Sequence, residues 1–185
     1  MSVGRCILSI AFFTFLIAVL GVLPTLALPF WGGVPITLQT IGIMLAGVVL
    51  GPVWGTLSAL FFLVLVALGM PLLPGGRGGV EAFMGPSSGF LIGFPFATFA
   101  CGIVMQFLQS SPVFPASLAS ALVGGIGVIY AFGIPGIVFF GEVPIEKAML
   151  VSLVYLPGDL IKAFVVALIA KAIARGRPDA LLSRQ

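Results

Sequence analysis

Two charges stand inside an otherwise apolar run, Asp159 and Lys162 in LVYLPGDLIKAFVV. At i, i+3 they occupy neighbouring positions on one helix face. On insertion scales each ion at mid-membrane costs roughly 2.5–3.5 kcal/mol. Their attraction offsets part of that, yet an apolar pair would insert more readily, so the pair points to a role beyond stability. It suits a binding site for a polar ligand or an ion pathway, and the plain alternative is a structural ion pair inside a bundle. Pro157-Gly158 precedes it. Proline removes a donor and disrupts the turn before it, which predicts an interrupted helix beside a cavity, where non-helical backbone is tolerated.

Two further groups of residues suit ligand contact. The segment GGRGGVEAFMGPSSGF, residues 75–90, is pliable through its glycines and allows close backbone approach. Arg77 within it suits a carboxylate, or is an ordinary solvated loop charge. Ser87, Ser88 and Phe90 close the segment. It lacks the Gly-Lys-Ser/Thr of a P-loop, so the chain carries no ATPase motif. In VPITLQT, Gln39 offers donors and an acceptor and Thr37 a hydroxyl, for a ligand or for helix capping and helix–helix bonding. Trp31, Trp54, Tyr130 and Tyr155 are most simply interface or packing aromatics.

The elements that must position these residues follow from composition. The chain has 185 residues, 61% hydrophobic and 7% charged, against about 25% charged in soluble domains. So few charges cannot coat a water-facing surface, and disorder fails because the chain is rich in bulky apolar residues. What remains is an all-α polytopic membrane protein. Histidine is absent, which removes His-based triads, HExxH zinc sites and His-ligated haem. Cys6 and Cys101 lie far apart in apolar stretches and serve packing. No metal or cofactor is expected, and no basic face for nucleic acid exists.

One crossing takes about 20 helical residues, so six crossings with short loops suit this length. The first helix is expected from about Cys6 to Leu28, the second from Pro35 to Leu50, and the third after Gly51-Pro52 to about Leu68. A Gly/Pro loop covers Gly69 to Pro86. The fourth runs from Ser87 to Leu108 and the fifth from Ala116 to Phe132, extending towards Phe140. The sixth runs from Ala148 to Ala174. Residues 1–175 form one transmembrane domain and 176–185 a short basic tail. Arg5 and that tail belong in the cytoplasm, which places both termini there and the Arg77 loop outside the cell membrane.

Small residues let helix backbones approach in lipid. Gly85, Gly89, Gly93, Ala97 and Cys101 recur every four residues and are expected to form an intramolecular packing face. On the first helix, Thr14 with Ala18 and Gly21 with Thr25 suit a contact with another chain, and a homo-oligomer is permitted without being required.

Taken together and in this order, VPITLQT, GGRGG, GPSSGF and LPGDLIKA resemble the BioY family, over about Pro29 to Ala167. The resemblance implies a six-helix S component that captures biotin from outside, with uptake driven by a transmembrane coupling subunit and ABC-type ATPases. It implies that Asp159 and Lys162 of the PGDxxK motif belong to the vitamin pocket, with the loop before the fourth helix. It also implies a coupling-subunit contact at Thr14 and Ala18. Family members often have Thr-Gly-Gly-Tyr where this chain has Ser87-Ser88-Gly89-Phe90, so the phenolic hydroxyl is missing. Phe90 or Leu156 is expected as apolar wall. The alternatives are an S component for another vitamin, a membrane enzyme using Asp159 and Lys162 as acid and base, and a proton-coupled carrier.

Overall fold

A computed structural model describes residues 3–23 and 37–184. Among the described residues, five helices are long and apolar enough to cross a membrane: Gly4–Val22, Gln39–Ala67, Ser88–Phe107, Val113–Gly141 and Ile145–Gly176. In order, α1 is Val3–Val22, α2 Gln39–Ala67 and α3 Ser88–Phe107. The fourth crossing joins α4 (Val113–Ser120), a π-helical stretch (Ala121–Val128) and α5 (Ile129–Gly141); α6 is Ile145–Gly176. The outer surface is itself apolar, with Phe12, Phe15, Phe61, Phe96, Phe107 and Ile161 exposed. That is how a bundle solvated by hydrocarbon presents itself, since lipid tails are as apolar as the core. The expected ends of the first helix at Leu28 and start of the second at Pro35 lie outside the described residues, as do Thr25 and Trp31.

α2 does not run straight. Gly51 has φ 83 and ψ −176, inside no helical region, a conformation that favours glycine. Beyond it the chain reverses: a Cβ on Gly55 would lie 2.7 Å from the Ala46 carbonyl oxygen. Nine residues of continuous helix would separate those two positions by roughly 13 Å. The first limb is the centre of the molecule, buried from Gly42 through Pro52. Its glycines mark the contacts. Gly42 packs on Ile17 of α1, and Gly47 on the Thr98 carbonyl and Cys101 of α3. Met44 fills the space beside Gly125 of the π-helical stretch.

The small-residue face of α3 packs within the chain, as expected. Gly89 meets Gly136 backbone to backbone, Gly93 meets Phe132, and Ala97 and Cys101 meet Gly124. Ser120 Oγ donates to the Cys101 carbonyl while Cys101 Sγ donates to the Ser120 carbonyl. Gly85 is not part of this face, because nothing lies within 4 Å of its added Cβ. A side chain at Gly89 has no such room, since its Cβ would sit 2.8 Å from the Gly136 Cα. Overpacking of this kind destabilises by roughly 1–3 kcal/mol. Gly89→Leu is therefore expected to lower the thermal midpoint of the detergent-purified protein by several degrees or prevent its recovery. Gly85→Ala should leave the midpoint unchanged, and equal behaviour of the two would contradict this packing.

One expectation is corrected, and the structure adds detail to two others. α6 continues through Pro157 instead of breaking there. Pro157 is exposed and Gly158 has open space beside it, and a membrane-spanning helix tolerates proline where local adjustment satisfies the freed carbonyl again. The small face of α1 is used inside the chain, where Thr14 Oγ1 donates to the Ser58 carbonyl at 3.1 Å. Thr14 and Ala18 also border an apolar groove between α1 and residues 61–72. The basic tail folds back onto the bundle: Ser183 Oγ donates to the Val48 carbonyl, and Arg184 donates to the carbonyls of Ser111 (2.9 Å) and Leu108 (3.2 Å).

Candidate functional site

The loop from Gly69 to Pro86 is pinned over one end of the bundle. Leu73 N–H donates to the Arg77 carbonyl at 3.0 Å and Gly79 N–H to the Val66 carbonyl at 2.7 Å. Between them Gly75 and Gly76 take φ 76 and 70, which closes a tight turn that side-chain-bearing residues would strain. Buried Leu73 and Pro74, with Arg77 on the rim, roof a cleft that runs down between α3, α5 and α6.

Asp159 and Lys162 form the polar end of this cleft, 6% and 8% exposed. Lys162 Nζ donates to Asp159 Oδ1 at 2.8 Å, and Tyr130 Oη donates to Asp159 Oδ2 at 2.6 Å. A carboxylate offers about four acceptor sites and an ammonium three donors. Two acceptor sites and two donors therefore remain for something in the cleft. The walls are apolar: Phe90, Leu91 and Phe94 from α3, and Ile129 from α5. Phe90 is set by its neighbour, because its ring lies over Gly133, where any side chain would collide with it.

Thr37, Thr40, Ser87 and Tyr155 complete the lining. Thr40 Oγ1 is buried without a hydrogen-bond partner. Buried hydroxyls are almost always paired, so one left open in a cleft wall fits a site that a ligand or water completes. Among the described residues no three His, Cys, Asp or Glu side chains gather to hold a metal.

Of the residues singled out in the sequence, Asp159, Lys162, Thr37, Arg77, Ser87 and Phe90 come together here. Gln39 does not. It is 2% exposed, wedged against Gly21, and its Nε2 donates to the Ile17 carbonyl at 3.4 Å, which makes it a tie between α1 and α2. Ser88 is fully buried with its hydroxyl unpaired and lies outside the cleft, and Leu156 is not on its wall. Tyr130 and Tyr155, read from the sequence as packing aromatics, are cleft residues. Tyr155 had a signal: it stands four residues before Asp159 and shares its helix face. Tyr130 had none, because its partner is 29 positions away on another helix.

Hydrogen bonds to charged groups contribute roughly 1.5–3 kcal/mol. Tyr130→Phe removes the bond that holds one Asp159 oxygen without changing the ring. It is expected to lower thermal stability measurably and to weaken ligand binding in the cleft about tenfold, read by unfolding and by equilibrium binding. A variant indistinguishable from the parent in both would show that Lys162 alone orients the carboxylate.

Known proteins share this arrangement of chain. The chain is 43% identical over 189 residues to the biotin transporter BioY of Rhodobacter capsulatus, covering 97% of this chain and 98% of that protein. It is 49% identical over 166 residues to the probable biotin transporter BioY of Bacillus subtilis, covering 90% and 88%. A crystal structure of the S-component for biotin from an ECF-type ABC transporter matches with a TM-score of 0.87 at 34% identity, over 95% of each chain. Residues 2–179 match the BioY family, and with these relatives aligned along nearly its whole length, the chain belongs to that family.

Proposed function

We propose that this chain is the biotin-binding S component of an ECF-type transporter, and that the Asp159–Lys162 cleft holds the vitamin. The observation that carries the reading is a cleft with one buried, hydrogen-bonded ion pair, apolar walls and a cationic rim, in a member of a family whose relatives are named as biotin transporters. It is read as a transport component and not as an enzyme, because the family is one of transporters.

Biotin combines a ureido group, an apolar thioether ring and a carboxylate tail. The polar end offers both acceptors and donors, which matches a ureido group that carries both. The walls of Phe90, Leu91, Phe94 and Ile129 match the ring. Arg77 at the rim has its Nε on the Pro74 carbonyl at 3.2 Å, leaving the other guanidinium donors for a carboxylate. The tail therefore points outward in this reading, away from the Asp159 charge.

Six crossings are the count proposed, the reversal at Gly51 supplying the additional turn. Orientation is supported by charge. Arg5 and Arg177 border one groove and Arg184 caps the 108–111 turn at the same end, with Lys171 and Arg175 on the last turns of α6. Lys and Arg concentrate on the cytoplasmic side, so this end faces the cytoplasm, both termini with it, and the cleft opens outward in a bacterial cell membrane. Coupling subunit and ABC-type ATPases are the expected partners, with Thr14 and Ala18 beside the apolar groove on α1 as the contact for the former.

Equilibrium binding of labelled biotin to the detergent-purified chain tests the proposal, with other vitamins and biotin methyl ester as competitors. Tight binding displaced by biotin analogues alone is expected. Arg77→Gln should weaken biotin about tenfold but leave the ester nearly unchanged, as fits loss of one charge-assisted contact. Absence of biotin binding by monodisperse protein would overturn the function. Equal losses for acid and ester would overturn the orientation.

A further inference from the structure

At the basic end of the bundle a second opening lies between the start of α1 and the end of α6. Its depth is apolar, with Leu8, Phe12, Leu50 and Ile173 on its sides, and Arg5 and Arg177 stand at its mouth. Its far wall is the folded-back segment that begins at Pro178, fixed by Ser183 on the Val48 carbonyl and Arg184 on the carbonyls of Leu108 and Ser111. The groove is thus built by tertiary contacts and is not a gap beside a loose tail. Leu8 is 72% and Phe12 59% exposed, opening the groove sideways to lipid.

The charges at the mouth decide what suits it. Arg5 and Arg177 are exposed, and neither guanidinium has an ion pair or hydrogen bond among the described residues. The one carboxylate on the rim, Asp179, is engaged in an interaction of its own. We propose that this groove is a site for an anionic phospholipid, its headgroup phosphate between Arg5 and Arg177 and an acyl chain along Leu8 and Phe12. The mouth lies where two membrane-crossing helices end, which is headgroup level, and unpaired arginines there attract anionic lipid. A zwitterionic headgroup fits less well, because its ammonium adds a third cation beside the two guanidiniums.

Native mass spectrometry of the detergent-purified chain, titrated with phosphatidylglycerol or phosphatidylcholine of identical acyl chains, tests this. One phosphatidylglycerol is expected to bind roughly tenfold more tightly than phosphatidylcholine. Arg5→Gln/Arg177→Gln should abolish the preference, and Arg177→Gln alone should reduce it about threefold. Lys171→Gln/Arg175→Gln, which removes charges outside the groove, should keep it. Monodispersity and an unchanged thermal midpoint serve as the folding check, so the result does not depend on biotin binding. No preference in the parent, a preference unchanged by the groove variants, or equal loss in the control would overturn the proposal. So would a groove double variant that retains the lipid preference but no longer assembles with a coupling subunit, which would assign the groove to a protein contact.

Discussion

Exchanging Asp159 for asparagine is expected to weaken biotin binding by roughly a hundredfold or more while the protein still inserts and folds. Asparagine keeps the shape and one acceptor oxygen, so Lys162 or Tyr130 retains a partner. What it loses is the charge that strengthens every bond reaching that oxygen pair. Two ligand N–H groups received by a neutral amide instead of a carboxylate forfeit roughly 2–3 kcal/mol between them. The Lys162 ammonium, 8% exposed, is also left without its counter-charge. Isothermal titration of the purified variant gives the answer directly. A dissociation constant close to that of the parent would remove the carboxylate from the site and direct attention to Arg77 and the aromatic walls.

The second large effect separates binding from stability. Lys162→Met leaves Asp159 buried with Tyr130 as its sole partner. Breaking a buried pair by removing one ion destabilises by roughly 3–5 kcal/mol, whereas replacing both ions by apolar groups is often neutral or stabilising. The single variant is expected to unfold well below the parent, and Asp159→Leu/Lys162→Met to regain or exceed the parent's midpoint. Neither should bind biotin. Thermal unfolding of the three proteins, run beside a binding assay, checks both halves. If the double variant were as unstable as the single one, the pair would be a structural element, and its presence would need no ligand to explain it.

How much of this was legible beforehand depends on whether a relation lies along one helix or between helices. Asp159 and Lys162 could be paired by spacing alone, and so could Tyr155 with them, because rotation per residue in a helix is constant. Gly51-Pro52 marked a turn by residue type, and the positive φ of Gly51 carries it out. The stripe Gly89, Gly93, Ala97, Cys101 announced a packing face through the same periodicity. Proline misled at position 157. The residue type predicts a break, but a membrane-spanning helix can satisfy the freed carbonyl locally, and α6 passes through.

Gln39 misled in a different way. A polar side chain in an apolar chain suggests a ligand contact, yet its amide serves the Ile17 carbonyl against Gly21. Only the packing of α1 on α2 distinguishes the two uses.

Composition, charge placement and helical spacing thus determined that this is a membrane-embedded helical protein with an ion pair on one face of its last crossing. The tertiary structure alone decided what that pair faces: Tyr130 from α5, Phe90 seated over Gly133, and the Arg77 loop closing the top. It also decided that the C-terminal segment belongs to the bundle through Ser183 and Val48, 135 positions apart. The physical reason is shared by all of these. In a soluble protein an apolar stripe against a polar one shows which side of a helix turns inward. Here both sides are apolar, so inward and outward are set by shape and by a few hydrogen bonds, and these appear only once the helices are in place.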